Sequence, residues 1–111
     1  HNKEIKSGDY YSDSKRVVEL IINNYESNFV SGESKHDYYC GITNNIEDNL
    51  KKHNIKNHLV VCKCQDAKIA AEAEDSLGKA GFDIGDVNHG GNGGAEDSVY
   101  VYMFKKSDRK V

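Results

Sequence analysis

Residues 37 to 54 read DYYCGITNNIEDNLKKHN, and this stretch decides how the rest of the chain can be arranged. Its first part alternates with a period of two, which predicts a strand with two unlike faces. One face carries Tyr38, Cys40 and Ile42, and the other carries Asp37, Tyr39, Gly41 and Thr43. The strand is therefore expected to bury one side and to present Tyr39 on the other.

A short helix is expected directly after this strand. Asn44 is followed three residues later by Glu47, a capping-box signature that predicts the start of a helix. Asn49 and His53 lie one turn apart on a shared edge of that helix, which should end near His53 or Asn54. The strand therefore brings Tyr39, and the helix brings Asn49 and His53, to neighbouring places.

Composition limits the class of protein. The chain has 111 residues, of which 37% are hydrophobic and 30% charged, as expected for one soluble domain over 1–111 with loose tails at 1–11 and 106–111. No apolar run approaches the roughly 20 residues that a membrane helix needs, so no membrane partner is expected. No signal-peptide pattern is visible; His1 in place of Met fits a tag remnant or an excised domain, and processing upstream of it stays open.

The three cysteines carry little functional information. Cys40, Cys62 and Cys64 lie among apolar residues, which favours small buried thiols in a reducing, cytoplasmic compartment. A Cys-x-x-Cys spacing, typical of metal sites, is absent. A disulfide between Cys40 and one of the other two stays open if their strands are neighbours.

The net charge of −3 argues against a general, non-specific nucleic-acid binder. A basic tail at residues 105–110 leaves a local phosphate-binding patch open, although solvated surface is the more common role of such residues.

Elements before the central stretch are a helix and a strand. Val17, Leu20 and Ile21 recur at helical spacing and predict a helix over about 14–26. Residues 27–31 are expected to be extended and, after a turn at 32–35, to form a hairpin with 37–43.

Elements after the central stretch alternate between strand and helix. Asp66 is a good helix cap and Gly81 a good helix stop. The predicted elements are a strand at 58–65, a helix at 66–80, a short strand at 82–86, a flexible Gly-rich loop at 88–97 and a strong strand at 98–104. The fold class is therefore α+β, a small and mostly antiparallel sheet made of a hairpin, a third strand and a C-terminal strand, flanked by helices.

Residues 28–80 resemble the GIY-YIG nuclease superfamily. Tyr39-Cys40-Gly41 is similar to the second name motif, and NIEDNLKKH to its characteristic continuation, with His53 where the family often closes that helix with histidine. Ala70, Glu74 and Leu77 match a typical Ala-x-x-x-Glu-x-x-Leu pattern. The resemblance is most specific over residues 38–53.

The resemblance implies an endonuclease that hydrolyses phosphodiester bonds with one divalent cation, Mg²⁺ or Mn²⁺. By position, Glu74 would hold the metal, and Tyr39 and His53 would line the cleft. In the family a tyrosine acts on or through the attacking water, and an arginine on the central helix stabilises charge that grows on the phosphate.

Two positions depart from the family pattern. Asn49 stands where the arginine belongs, and an amide does not replace a bidentate positive charge. Phe29 stands where the first of the family's two name motifs has a tyrosine. Tyr25 or Tyr38 could be a displaced substitute, although Tyr38 should face the core. We therefore expect a degenerate active site with cleavage weakened or lost.

The alternative hypothesis is a non-catalytic module on the same fold that binds protein or nucleic acid, DNA rather than RNA. In that case Glu74 is a charged residue at a helix edge and His53 completes its helix end. Asn49 is then an exposed helical asparagine, and Tyr39 covers sheet surface.

Overall fold

The computed structural model describes residues 10–85 and 99–109. Within these ranges the helices are α1 (Ser14–Asn28), α2 (Ile46–His53) and α3 (Ala67–Ala80). The strands are β1 (Tyr38–Thr43), β2 (Val60–Lys63) and β3 (Tyr100–Lys105). The predicted α+β class with an antiparallel sheet is confirmed.

The strand closest to the C-terminus lies in the middle of the sheet. The order is β1-β3-β2, and β3 runs antiparallel to both neighbours. Tyr102 of β3 is the register partner of Gly41 on β1 and of Val61 on β2. Side chains of residues far apart in the sequence are therefore placed side by side.

The predicted hairpin between residues 27–31 and β1 is wrong. Helix α1 continues to Asn28, and the N–H of Phe29 still donates to the carbonyl of Tyr25 at 2.9 Å. The Ser27 hydroxyl also donates back, to the carbonyl of Asn23 at 3.1 Å. These bonds satisfy the helix end locally, so the segment has no need of a strand partner.

The helix caps follow the predicted chemistry, with one shift of position. The side chains of Asp13 and Asp66 accept from the N–H groups of Lys15 and Ile69 at the starts of α1 and α3. At α2 the cap is Asn45, not Asn44, and its side chain accepts from the Asp48 N–H at 3.0 Å. The start moves by one residue because Thr43 still belongs to β1.

One face of the sheet packs under α1 and α3 and forms the main core. The fully buried members include Val17 and Ile21 of α1, Leu77 of α3, and Tyr38 and Cys40 of β1. All three cysteines are buried and free, which confirms the prediction of small buried thiols. The alternative of a disulfide involving Cys40 is wrong. Strand β3 lies between Cys40 on β1 and Cys62 on β2.

The predicted strand at 82–86 is reduced to a single bridge. Asp83 pairs in parallel with Tyr39: the Cys40 N–H donates to the Asp83 carbonyl at 2.9 Å, and the Asp83 N–H donates to the Tyr38 carbonyl at 3.1 Å. This segment takes the outer edge of β1 that the hairpin was expected to occupy. Asp86 and the Gly-rich stretch at 88–97 lie outside the described residues.

The C-terminal end of the described chain makes specific contacts. A 3-10 turn spans Lys106–Asp108, and the Lys106 ammonium pairs with Asp83 at 2.7 Å. Lys105 pairs with Glu33 at 3.2 Å. No helix within the described ranges is long and apolar enough to cross a membrane.

Candidate functional site

The second face of the sheet, opposite α1 and α3, carries a group of rings and polar side chains rather than an aliphatic core. The strands contribute rings at alternate positions, and α2 and the segment after it cover them. We call this group the polar–aromatic cluster: Tyr39, Asn49, His53, His58, Tyr102 and Phe104.

Ring contacts hold the cluster together. Tyr39 lies 5.1 Å from His53 and 5.2 Å from Phe104, measured between ring centroids. His53 lies 5.0 Å from Phe104, and His58 lies 4.6 Å from Tyr102. Because these distances fall within the range of favourable ring packing, the predicted proximity of Tyr39 and His53 is present in the structure.

Asn49 is the hydrogen-bonding centre of the cluster. Its side-chain nitrogen donates to the Tyr102 hydroxyl at 3.2 Å, and its carbonyl oxygen accepts from Nε2 of His58 at 2.9 Å. Only 5% of Asn49 is exposed, so the interpretation of an exposed asparagine is wrong. A buried amide bonded at both ends fixes the positions of its partners rather than awaiting a ligand.

The hydrogen bonds run in one direction through the cluster. Because the Asn49 oxygen can only accept, the proton of His58 lies on Nε2. The Tyr102 hydroxyl accepts from Asn49 and makes a second hydrogen bond with Nε2 of His53, 3.1 Å away, in which the hydroxyl donates when the His53 proton lies on Nδ1. Burial, with further effects of Lys52, Arg109 and His58, lowers the pKa of His53 to about 4, so this ring is neutral and can accept at neutral pH.

Tyr102 remains a neutral hydroxyl under ordinary conditions. Burial is the largest cause that raises its pKa, against a smaller lowering by the Asn49 hydrogen bond. Even from the ordinary tyrosine value of 10.0, transfer of its proton to a group of pKa about 4 is uphill by about 8 kcal/mol. Tyr102 can therefore donate or relay a hydrogen bond, but it does not supply a phenolate.

Gly41 is the position that lets Tyr102 lie across β1. A Cβ atom on Gly41 would lie 2.5 Å from the Tyr102 hydroxyl oxygen and 3.2 Å from the Tyr39 ring. Real Cβ contacts are not that close, so no larger side chain fits without a shift of both rings. The glycine of the Tyr-Cys-Gly motif thus has a packing role in this chain.

The Tyr39 hydroxyl reaches the outer edge of β1 beside Gly85. A Cβ atom on Gly85 would lie 2.8 Å from that oxygen. Burial first, and then the negative charges of Glu74 and Asp83, raise the pKa of Tyr39, whereas Arg109 acts in the opposite direction. Tyr39 is only half-buried, and it is the cluster tyrosine that an external molecule can reach most directly.

Glu74 lies on α3 at the side of the Ala70–Ala73–Leu77 stripe. Its negative charge raises the pKa of Cys40 and of the cluster residues Tyr39 and Tyr102, so the carboxylate interacts electrostatically with the central part of β1. Burial raises the pKa of Glu74 itself to about 7. Among the residues that the structure describes, none forms an ion pair with this carboxylate.

The chemistry of Glu74 fits a weakly held cation better than a preformed metal cage. Over residues 10–85 and 99–109, no group of three His, Cys, Asp or Glu side chains is arranged to hold a metal ion. Mg²⁺ is commonly held by one or two carboxylates, with waters and substrate phosphate completing its shell. A half-buried carboxylate whose charge is unbalanced meets the minimum requirement for such a site.

An open patch continues the same sheet face beyond α2. Lys63 is the register partner of Tyr100, and its ammonium lies 4.5 Å from the centre of the Tyr10 ring and 5.5 Å from that of Tyr100. Val61, on the same strand, is 39% exposed. We call Tyr10, Lys63 and Tyr100 the cation–aromatic patch.

The structure brings together three of the four predicted site residues: Tyr39, Asn49 and His53. Glu74, on α3, acts electrostatically on Tyr39. Phe29, expected at the position of a motif tyrosine, is 43% exposed and stacks on Tyr25 at the end of α1, away from the cluster. Tyr38 faces the core, as predicted.

Sequence reasoning missed Tyr102, Phe104 and His58. The alternation of Tyr100, Tyr102 and Phe104 was a usable signal that these rings share a face. Nothing local indicates that β3 lies next to β1, and His58 has no pattern that distinguishes it from His36.

Comparison of the chain with protein-family models, with curated proteins and with solved structures finds no match. The candidate site therefore rests on the geometry of this chain and on the short motifs.

Proposed function

We propose that this domain is a weak, divalent-metal-dependent phosphodiesterase related to the GIY-YIG nucleases, acting on nucleic acid, with DNA as the preferred substrate. The observation that carries the proposal is the position of Tyr102. Position 29, where the resemblance expects a tyrosine, carries Phe29, but Tyr102 lies beside Tyr39, Asn49 and His53. These two tyrosines lie on neighbouring antiparallel strands, and we propose that they take the roles of the tyrosine pair that the predicted hairpin was expected to carry.

Each cluster residue has a role that its environment allows. Tyr39, half-buried at the strand edge, would contact the substrate phosphate or the attacking water through its hydroxyl. Tyr102 would be a positioning residue, because its hydroxyl is already bonded to Asn49 and faces His53. Neutral His53 would keep that hydroxyl oriented.

Glu74 is the residue that would hold the cation. A Mg²⁺ or Mn²⁺ ion there would neutralise charge that develops on a phosphate oxygen. The support is that the Glu74 carboxylate is half-buried and forms no ion pair with any of the residues that the structure describes.

Cleavage is expected to be slow because position 49 provides no positive charge. The loss of one donor that stabilises a transition-state charge typically costs about 10²–10³-fold in rate. Asn49 does not compensate, since both ends of its amide are engaged by cluster residues.

The test is a cleavage assay with single- and double-stranded DNA and with RNA, in Mg²⁺ or in Mn²⁺. We expect slow cutting that Glu74→Ala abolishes. Glu72→Ala is the matched control, because Glu72 lies on the same helix, is exposed and should leave the rate unchanged. A thermal shift on addition of Mn²⁺ that Glu74→Gln removes gives a readout independent of turnover.

The enzyme reading fails if the purified wild type leaves all of these substrates intact with both cations. It also fails if Glu72→Ala and Glu74→Ala reduce cutting to the same degree. The reduction would then result from the loss of a negative charge anywhere on α3 and not from a specific role of Glu74.

A second candidate, a nucleic-acid-binding module that does not cleave, is favoured by the cation–aromatic patch. A lysine between two tyrosine rings on an open sheet face suits a phosphate next to a stacked base. In that case Tyr100→Ala should weaken binding of a single-stranded oligonucleotide in EDTA, and Glu74→Ala should not.

A further inference from the structure

The basic residues at the end of β3 differ in how their charge is balanced. Lys105 pairs with Glu33 at 3.2 Å, and Lys106 pairs with Asp83 at 2.7 Å. Arg109, in the same basic tail, is exposed and has no ion-pair partner among the described residues. One cation of the three is therefore left to interact with something else.

Arg109 is located at the polar–aromatic cluster. The carbon at the centre of its guanidinium lies 5.6 Å from the centre of the Phe104 ring, a cation–π contact. Phe104 in turn stacks on Tyr39 at 5.2 Å and lies 5.0 Å from His53. The turn that precedes Arg109, Lys106–Asp108, is anchored through the Lys106–Asp83 ion pair, and the charge of Arg109 lowers the pKa of Tyr39.

Charges of both signs act at this edge: the negative charges of Glu74 and Asp83 act on Tyr39 more strongly than Arg109 does, whereas Lys52 and Arg109 act on His53 as positive charges. Lys52 is exposed, and the described part of the chain offers it no ion pair. An exposed arginine in a cation–π contact still has N–H groups available for bidentate binding of phosphate.

We propose that Arg109 binds a phosphate group of a nucleic-acid strand at the edge of the polar–aromatic cluster, beside the Phe104 ring. This inference rests on the proposed function for its substrate class. It assigns to the C-terminal turn the charged contact that Asn49 on α2 does not make.

The test separates binding from cleavage by removing the metal. Anisotropy of a short, labelled oligothymidylate is measured in EDTA for the wild type, Arg109→Ala, Arg109→Lys, Tyr100→Ala and Arg16→Ala. Arg16 is the matched control, because it makes the same change of charge on α1, across the sheet from the cluster, where it pairs with Glu19.

We expect Arg109→Ala to weaken binding about fivefold to tenfold and to reduce the slope of log K against log salt by about 0.7, one phosphate contact to a single strand. Arg109→Lys should restore the slope but only part of the affinity, since lysine lacks the bidentate fork. Arg16→Ala should match the wild type. All variants should melt at the wild-type temperature, because both arginines are exposed.

The inference is overturned if Arg109→Ala and Arg16→Ala bind alike, or if the wild type does not bind the oligonucleotide. Either result leaves the cleavage assay to decide the proposed function separately. Conversely, the wild type could bind through Arg109 but fail to cleave with Mg²⁺ or Mn²⁺. That result would reject the proposed enzymatic function and retain the proposed phosphate contact. Loss of binding in Tyr100→Ala alone would assign the contact to the cation–aromatic patch and overturn the role of Arg109.

Discussion

The two faces of the sheet belong to the same three strands but are stabilised by different kinds of interaction. The face under α1 and α3 is mainly apolar: Met103, Val101 and Cys40 are fully buried in one core with Leu77, together with the rings of Tyr25, Tyr38 and Phe82. The face under α2 is made of rings joined by directed hydrogen bonds through Asn49. The first face stabilises mainly by excluding water, whereas the second fixes the orientation of particular atoms.

The difference indicates where function can reside. An aliphatic core tolerates volume-conserving substitutions, but it offers no group that can exchange a proton or bind an anion. A buried polar network is costly when one member is missing, and it is retained where atomic positions matter. Variants on the two faces should therefore differ both in the size and in the kind of their effect.

The largest loss of stability is expected on the aliphatic face. Leu77→Ala removes a fully buried side chain of α3 and should lower the free energy of unfolding by about 3–4 kcal/mol through lost burial and a residual cavity. Urea denaturation measures this loss. Val30→Ala, at a position 55% exposed, is the control and should change stability by less than about 0.5 kcal/mol. An equal effect of both variants would contradict the location of the core.

A smaller loss is expected from Gly41→Ala, which crowds the polar–aromatic cluster. The new Cβ would lie 2.5 Å from the Tyr102 hydroxyl oxygen, so overpacking should cost about 2–3 kcal/mol. The same substitution in a Tyr102→Phe background should cost less, since the closest atom is gone. Purely additive losses in the double-mutant cycle would show that the two residues do not meet.

Asn49→Ala tests the hydrogen-bond network itself. It leaves His58 Nε2 and the Tyr102 hydroxyl without their amide partner and should cost about 1–2 kcal/mol. Asn23→Ala is the matched control on α1, because Asn23 is exposed and alanine is the better helix former. Near-ultraviolet circular dichroism of the folded protein should change in Asn49→Ala, because this variant removes a hydrogen bond that orients the Tyr102 ring. Unchanged tyrosine signals in Asn49→Ala would contradict the network.

The smallest expected effect is a pH dependence set by Glu74 and His53. The folded-state pKa of Glu74, about 7, lies above its ordinary value of 4.5, so the folded protein binds the extra proton and stability from this group falls as pH rises through that window. The folded-state pKa of His53, about 4, lies below 6.5, so stability from this group rises with pH between those values. In the wild type, the two groups therefore change stability with pH in opposite directions.

Glu74→Gln should remove the contribution of Glu74 to the pH dependence of stability and leave that of His53. The variant should match the wild type near pH 4 and be more stable by about 1 kcal/mol at pH 8, a figure reduced for partial solvent exposure. Thermal unfolding across this pH range measures the difference, with Glu72→Gln as the exposed control. A Glu74→Gln variant that is less stable than the wild type at pH 8 would show that the carboxylate is stabilised by a partner rather than strained by burial.

The sequence by itself determined the local elements and their faces. Asp13, Asp66 and Gly81 end or begin helices because their caps satisfy backbone groups within a few residues. The alternation in β1 separated Tyr38 from Tyr39, and the helical spacing on α2 placed Asn49 beside His53. All of these follow from contacts between near neighbours, so a short window of sequence contains the cause.

Only the tertiary structure decided which distant residues complete the site. Residues 27–31 were expected to pair with one edge of β1, but they form the end of α1 and the segment directly after it. Strand β3 pairs with one edge of β1 instead, and Asp83 pairs with the other. That choice brought Tyr102, Phe104 and Arg109 to Tyr39 from more than half a chain away. Strand pairing is a competition among all available edges, and its outcome depends on burial of whole faces rather than on any local pattern.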